Sequence, residues 1–373
     1  MSKITMMDYI KQTPEAVLEN IANVKQLVSK LKDFYLEGDY TDIVIVASGS
    51  SYNGCMCART YMRKYLQTEV KIVTPFTLKN YEFQYIGKSM FMFVSQSGCS
   101  TNTIDAARFI KEKGYKTVGV VGRDDCDLKD DVDLIMNWGV GEEKIGFVTK
   151  GVVTLAAFLM LFALETSVAK GIYDETEYNS QINMLKKAME IHPKMVEETI
   201  RKFEMNREAF TGKKNMYVLG SGPSYGVALE GALKIAETNC ITAYPVETEE
   251  FLHGPIYATN PDTLVLVIDN NANPSTRRSV DIAIANKVVT EKTFAITNDP
   301  LFDDSHAFRS GEETSCHIGA LYKLACVETL AYLMTMNTNQ FEPHENIKAF
   351  KRLNAVASKS RSNLFMDLQK VNG

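Results

Sequence analysis

The sequence has no Cys-x-x-Cys pair, no His-x-x-x-His pair and no excess of basic residues. Its seven cysteines form an odd set whose nearest spacing is Cys55-x-Cys57, which fits free thiols in a reducing cytoplasm better than a disulfide framework. The five histidines (His192, His253, His306, His317 and His344) lack metal-ligand spacing, so neither a metal nor a cofactor is expected. A net charge of -5 argues against a nucleic-acid partner, which would need a basic face. The start, Met-Ser-Lys-Ile-Thr, does not lead into an uninterrupted apolar region with a cleavage site, so no secretory signal is read there. The longest apolar run, Val152 to Leu164, is interrupted by Thr154 and is too short for the roughly 20 residues that span a bilayer. It reads as a buried core helix, and the chain as cytoplasmic.

What is present is an apolar strand running into a hydroxyl-rich turn, Met90-Phe-Met-Phe-Val-Ser-Gln-Ser-Gly-Cys-Ser-Thr-Asn-Thr103. The first amides of a helix lack intrahelical partners, and the positive end of the helix dipole favours an anion there. Ser95, Ser97, Ser100 and Thr101 or Thr103 add hydroxyl donors, and Gly98 lets backbone approach closely. The turn contains no Lys or Arg, so the expected phosphate cradle uses neutral donors.

With 373 residues, 45% of them apolar, the chain is long enough for two domains with separate cores. Its halves echo each other. Ile45-Val-Ala-Ser-Gly-Ser-Ser-Tyr-Asn-Gly54 matches Val218-Leu-Gly-Ser-Gly-Pro-Ser-Tyr-Gly-Val227, and in the same register Phe91–Val94 falls on Leu264–Val267. Such a repeat predicts two open α/β units with parallel sheets. Strands are expected near Asp42–Ala47, Lys71–Thr74, Met90–Ser95, Thr117–Val121 and Leu134–Met136, then near Asn215–Leu219, Thr242–Pro245, Leu264–Ile268 and Lys292–Ile296. Helices are expected near Tyr52–Tyr65, Asn102–Lys113, Lys150–Lys170, Tyr225–Asn239, Thr276–Thr290 and Gly319–Asn337. Residues 1–38 read as a helical lead-in starting at Asp8 or Thr13-Pro14, and 176–210 as a connector of amphipathic helix broken at Pro193. The two α/β units then occupy 39–175 and 211–338, with a tail from 339 to 373. Open parallel sheets bind ligands beyond the carboxyl ends of their strands, where both Ser-rich turns of the first half sit.

The second half replaces the hydroxyl loop with Ile268-Asp-Asn-Asn271 but carries Glu230, Lys234 and Glu237 on one helix face. By itself that ladder reads as a surface salt-bridge array. The loop Glu247-Thr-Glu-Glu-Phe-Leu-His-Gly-Pro255 follows a strand and places His253, a residue suited to moving protons near neutral pH, in acidic surroundings.

These motifs, in this order, resemble the tandem sugar isomerase (SIS) domain family, particularly the isomerase half of glucosamine-6-phosphate synthase and the fructosamine or glucoselysine 6-phosphate deglycases. Ser48-Gly-Ser-Ser-Tyr52 resembles the family's first turn, Ser95-Gln-Ser-Gly98 its phosphate loop, and Ile145-Gly-Phe-Val-Thr-Lys150 the segment closing over the sugar. Ala228–Glu237 is similar to the catalytic helix and His253-Gly-Pro255 to the ring-opening motif. The resemblance implies two three-layer α/β/α domains of flavodoxin-like type. It also implies phosphate binding by Ser50, Ser51, Ser95, Gln96, Ser97, Ser100 and Thr103, and sugar contacts from Val148 and Thr149. Glu237 would move a proton between C1 and C2, His253 would help open the ring, Lys234 would stabilise the enolate oxygen, and a homodimer would deliver the histidine from the neighbouring subunit.

Departures bear on the reaction. Residue 2 is Ser where the synthase has its glutaminase cysteine, so amination from glutamine is not expected, though free ammonia stays open. The tail Gln340-Phe-Glu-Pro-His-Glu-Asn-Ile-Lys-Ala-Phe-Lys-Arg352, followed by Val356-Ala-Ser-Lys359, does not align with the synthase tail whose lysine forms a Schiff base, and no catalytic lysine is assigned in it. Cys99 and Phe147 replace the family's usual residues. The reading is a deglycase acting on a ketosamine 6-phosphate. The alternatives are a glucosamine 6-phosphate/fructose 6-phosphate isomerase or deaminase, and a non-catalytic sugar-phosphate sensor. The acidic run Glu247, Glu249 and Glu250 could receive a cationic amine.

Overall fold

A computed structural model of the chain describes residues 4–85, 87–144, 146–212, 215–270, 277–338, 343–351, 353 and 356–361. Ile145, Asn271, Thr276, Gln340–Glu342 and Arg352, which figure in the sequence reading, lie outside these residues.

Among the described residues, ten strands form two five-stranded sheets, all pairings parallel. The first contains β1 (Asp42–Ala47), β2 (Glu69–Val73), β3 (Ser89–Ser95), β4 (Thr117–Val121) and β5 (Leu134–Asn137) in the order β2-β1-β3-β4-β5. The second contains β6 (Met216–Gly220), β7 (Ala243–Glu247), β8 (Leu264–Ile268), β9 (Thr293–Ile296) and β10 (Ala307–Phe308) in the order β10-β9-β8-β6-β7. Read from β7, the second order repeats the first, the doubly wound arrangement of flavodoxin-like folds. The expected strands are all found; β10, a two-residue edge, was too short to give a period. Strands β1, β3, β4 and β8 are buried along their whole length because helices cover both faces, which is why they read as continuous apolar runs.

The register sets the site. Ala47 at the end of β1 pairs with Val94 near the end of β3, so the turns Ser48–Ser51 and Ser95–Ser100 begin side by side at the switch point of the sheet.

Two sequence expectations are corrected. The first helix, Met6–Ala22, starts ahead of Asp8 and Pro14: Thr5 caps it, its hydroxyl accepting from the Asp8 amide at 3.4 Å while the Asp8 carboxylate accepts from the Thr5 amide at 2.7 Å. Pro14 then lies inside the helix. Pro193 does not break the connector either; Glu175–Met205 is one helix, with Ala188, Met189, Ile191, His192, Met195 and Val196 buried on both sides of the proline. Tertiary packing outweighs the single backbone hydrogen bond that proline removes.

The inner faces of both sheets share one continuous apolar core, with smaller clusters on the outer faces around Phe91 and Phe93 and around Phe251 and Val267. The run Val152–Leu164 lies in a fully buried stretch of the helix Lys150–Ala169, as expected of a core helix. That helix and Cys316–Asn337 are long and apolar enough to span a bilayer, and 83% of the apolar window in each is buried within the fold. The helices Ser50–Leu66 and Pro223–Asn239 cross where Gly226 meets the backbone of Cys57; a Cβ there would lie 2.5 Å from the Cys57 amide nitrogen. This close approach joins the two lobes and turns the Glu230–Lys234 face of one helix onto the amino-terminal turn of the other.

Candidate active site

A cavity of about 960 Å³ opens at the carboxyl ends of β1, β3, β4 and β5. Ser48, Ser50, Ser51, Ser95, Gln96, Ser97, Ser100, Thr103 and Val148 line it. The cradle is tightly built. Ser95 Oγ and Ser100 Oγ are 3.0 Å apart, Ser97 Oγ accepts from the Cys99 amide at 3.2 Å, and Asn102 Nδ2 donates to Ser48 Oγ at 3.1 Å. Gly98 holds φ at 58° with Cys126 packed against it, so a Cβ would come within 2.4 Å of Cys126 Cβ. The helix Ser50–Leu66 has no side-chain cap at its amino terminus, which leaves helix-end donors facing the cavity from β1.

Two groups that the sequence reading missed complete this side. Glu143 accepts from the amides of Thr149 (2.8 Å), Lys150 (2.9 Å) and Gly151 (3.2 Å) at the start of the buried helix, and from Gln96 Nε2 at 2.6 Å. It therefore fixes Gln96 against the helix Lys150–Ala169. Thr149 is turned inward to Glu143 and to the Phe147 carbonyl and does not line the cavity, whereas Val148 does. Lys359, from the tail, reaches into the cavity and places Nζ 2.9 Å from Ser97 Oγ and 3.4 Å from Ser100 Oγ. A cation thus joins the neutral donors, and the tail does carry a lysine at the site. Burial lowers the pKa of this amine. The tail segment around Lys359 is irregular and offers no periodicity from which that contact could have been read.

Glu230 and Lys234 of the ladder are buried and Glu237 is half-buried, contrary to the surface reading. Lys234 Nζ hydrogen-bonds Ser50 Oγ at 3.1 Å, bonds Glu237 and lies 3.3 Å from Glu230 Oε1. Glu230 Oε2 in turn accepts from Asn53 Nδ2 at 2.8 Å. Burial opposes the ammonium, but Glu230 and Glu237 outweigh it and hold the Lys234 pKa up. For Glu237 burial dominates over the attraction of Lys234, and its pKa is raised. Glu328, on Cys316–Thr338, is fully buried, neither oxygen has a hydrogen-bond partner among the described residues, and burial pushes its carboxyl far up. The structure therefore brings Lys234 to the cradle through Ser50 and Glu237 to Lys234. It does not bring His253 there: that residue is exposed on the loop after β7.

The equivalent switch point of the second lobe is filled from within. Asn270 Nδ2 donates to the Ser221 carbonyl at 2.6 Å and Asn270 Oδ1 accepts from the Ser224 amide at 3.3 Å. An asparagine side chain occupies the helix terminus that an anion would need.

Residues 209–313 match the SIS domain family, whose two-lobed architecture the fold reproduces. This match lies in the second lobe. It is 29% identical over 272 residues to the glutamine–fructose-6-phosphate aminotransferase (isomerizing) of Clostridium tetani, covering 71% of this chain and 42% of that one. The aminotransferase of Aquifex aeolicus is 28% identical over 270 residues, covering 70% and 43%. The chain thus spans less than half the length of these curated relatives. Among solved structures, a candidate phosphosugar isomerase of Clostridium difficile 630 is similar with a TM-score of 0.83 and 26% identity, covering 93% of this chain and 98% of that one. The C-terminal domain of the Francisella tularensis aminotransferase gives 0.77 at 21% identity, covering 90% and 96%, a likeness of fold.

Proposed function

We propose that the protein is an enzyme of the phosphosugar isomerase class acting as a deglycase on a ketosamine 6-phosphate. The observation that carries the reading is the contact of Lys234 with Ser50 while it is bonded to Glu237, because it ties a carboxylate base to an anion cradle. In this reading the cradle holds the phosphate and so fixes C1 and C2. Glu237 removes a proton from C1 and returns it to C2, while the nitrogen gives up its N–H proton and the C2 oxygen takes one up, so the C2 carbonyl becomes a hydroxyl and C1 becomes an imine. Water then hydrolyses the imine to an aldose 6-phosphate and a free amine. Lys234 offsets the charge that develops on the C2 oxygen. General acid–base catalysis of this kind contributes roughly 10²–10⁴-fold.

His253 serves a partner's site in this reading. It is exposed beside Leu252 and the 91% exposed Tyr257, which leaves the loop available to a second copy of the chain. A second reaction, interconversion of glucosamine 6-phosphate and fructose 6-phosphate, is favoured by Lys359, an amine of lowered pKa beside the cradle that could add to a sugar carbonyl.

The test is to incubate the purified chain with fructosyl-lysine 6-phosphate, glucosamine 6-phosphate and fructose 6-phosphate, and to assay glucose 6-phosphate, ammonia and exchange of the C1 hydrogen. Release of glucose 6-phosphate from the first compound, lost by at least 10²-fold in Glu237→Gln with phosphate binding retained, is the expected result. Turnover of only the second or third, abolished in Lys359→Arg, would establish the alternative reaction. Binding of all three without turnover would make the protein a sensor.

A further inference from the structure

We propose that Arg361 is a positioning residue which, with Asp125 and Asp127, fixes the tail segment across the phosphate cradle and so places Lys359 on Ser97 and Ser100. The inference rests on the functional reading of that cradle.

The irregular tail segment Val356–Arg361 meets the cradle by backbone. The Thr101 amide donates to the Ser358 carbonyl at 3.2 Å, the Ser360 amide donates to the Cys99 carbonyl at 2.8 Å, and Ser100 and Lys359 form an antiparallel bridge. Thr101 Oγ1 adds a bond to the Ala357 carbonyl at 2.7 Å. So short a pairing is marginal in water without further support. Lys359 does not supply that support, since its hydrogen bonds among the described residues go only to two neutral hydroxyls.

Support comes from the next two residues. Arg361 Nε donates to Asp127 Oδ1 at 2.8 Å, and its two Nη atoms donate to Asp125 at 2.9 and 3.1 Å. Ser360 Oγ donates to Asp127 Oδ2 at 2.5 Å. Bonds to Arg361 hold both carboxyls below the usual carboxylate range. A lone exposed ion pair would add little, but here a planar guanidinium engages two carboxylates at once in the geometry for which arginine is preorganised. The loop bearing those carboxylates is itself joined to the cradle, because the Leu128 amide donates to the Gly98 carbonyl at 2.9 Å. Asp125 also binds Arg123, which lines the cavity wall. Phosphate loop, aspartate turn and tail are therefore one unit, and Arg361 closes it.

The experiment compares wild type, Arg361→Gln, Lys359→Met and the double variant, using inorganic phosphate as the probe in calorimetry and hydrogen exchange of the Thr101 and Ser360 amides. Arg361→Gln is expected to weaken phosphate binding roughly tenfold and to release both amides, with the thermal midpoint unchanged. Lys359→Met should weaken binding similarly while the amides stay protected. The double variant should bind about as well as Lys359→Met, since Arg361 acts through Lys359. The proposal is overturned if Arg361→Gln leaves both affinity and protection intact, or if the two losses multiply. A wild type that binds no phosphate, yet loses Ser360 protection in Arg361→Gln, would defeat the reading of the cradle and leave the anchor standing.

Discussion

Among individual residues, the environment of one cation explains most of the site's chemistry. Lys234 is 1% exposed and sits between Glu230, Glu237 and Ser50, so the lone ammonium is shared by two carboxylates of unequal burial. Glu328 adds a third carboxyl nearby, and burial pushes it far above the usual carboxylate range. Glu237, at 30% side-chain exposure, is the member open to solvent. Its raised pKa gives a pH signature. If Glu237 is the proposed base it acts when ionised, so kcat/KM should rise with pH through a midpoint above the ordinary glutamate range of about 4.3. A pH–rate profile in the substrate-limited regime measures this, and an acid limb at or below that value would show that Glu237 is not the titrating base.

At the level of single elements, the long helix Glu175–Met205 shows how packing overrides local preference. It carries Pro193 in its interior and, one residue earlier, a histidine with no exposed surface and, among the described residues, no hydrogen bond to either ring nitrogen. Burial pushes the His192 pKa down to about 3 from the usual 6.5. In the unfolded chain the imidazole takes up a proton below about pH 6.5, whereas in the folded chain it stays neutral until about pH 3. The unfolded state therefore binds more protons across this window, and stability falls as pH falls. Urea unfolding at pH 7 and pH 5 should show the wild type losing roughly 2 kcal/mol more than His192→Leu between the two. Equal losses would mean that the imidazole is not buried as a neutral group.

For the whole molecule, the halves have diverged from one topology into two tasks. The first lobe kept an open switch point with hydroxyl donors, while Asn270 filled the second. The second lobe instead supplies charged groups to the first through the crossing at Gly226 and Cys57. His253 lies outside that arrangement in the protomer. If a symmetric dimer delivers it across the interface, mixing inactive Glu237→Gln with inactive His253→Ala should restore roughly a quarter of wild-type activity after subunit exchange, since half the dimers then carry one intact site. No recovery in demonstrably mixed dimers would place the histidine outside the reaction or within its own subunit's site.

The amino-acid order by itself determined the alternation of strands and helices, the repeat, the pairing of two Ser-rich turns at strand ends, and the helix bearing Glu230, Lys234 and Glu237. These are local properties: a buried parallel strand must be apolar, a turn needs hydroxyls and glycine, and helical spacing puts three charges on one face. Only the tertiary structure decided that this face is buried, that Asn270 closes the second switch point, that Glu143 holds Gln96, and that Lys359 enters the cradle. Each of those contacts joins segments far apart in the chain, whose meeting depends on how sheets, lobes and an irregular tail pack together. Periodicity reports which face of an element is apolar. It carries no information about which distant side chain will cover that face.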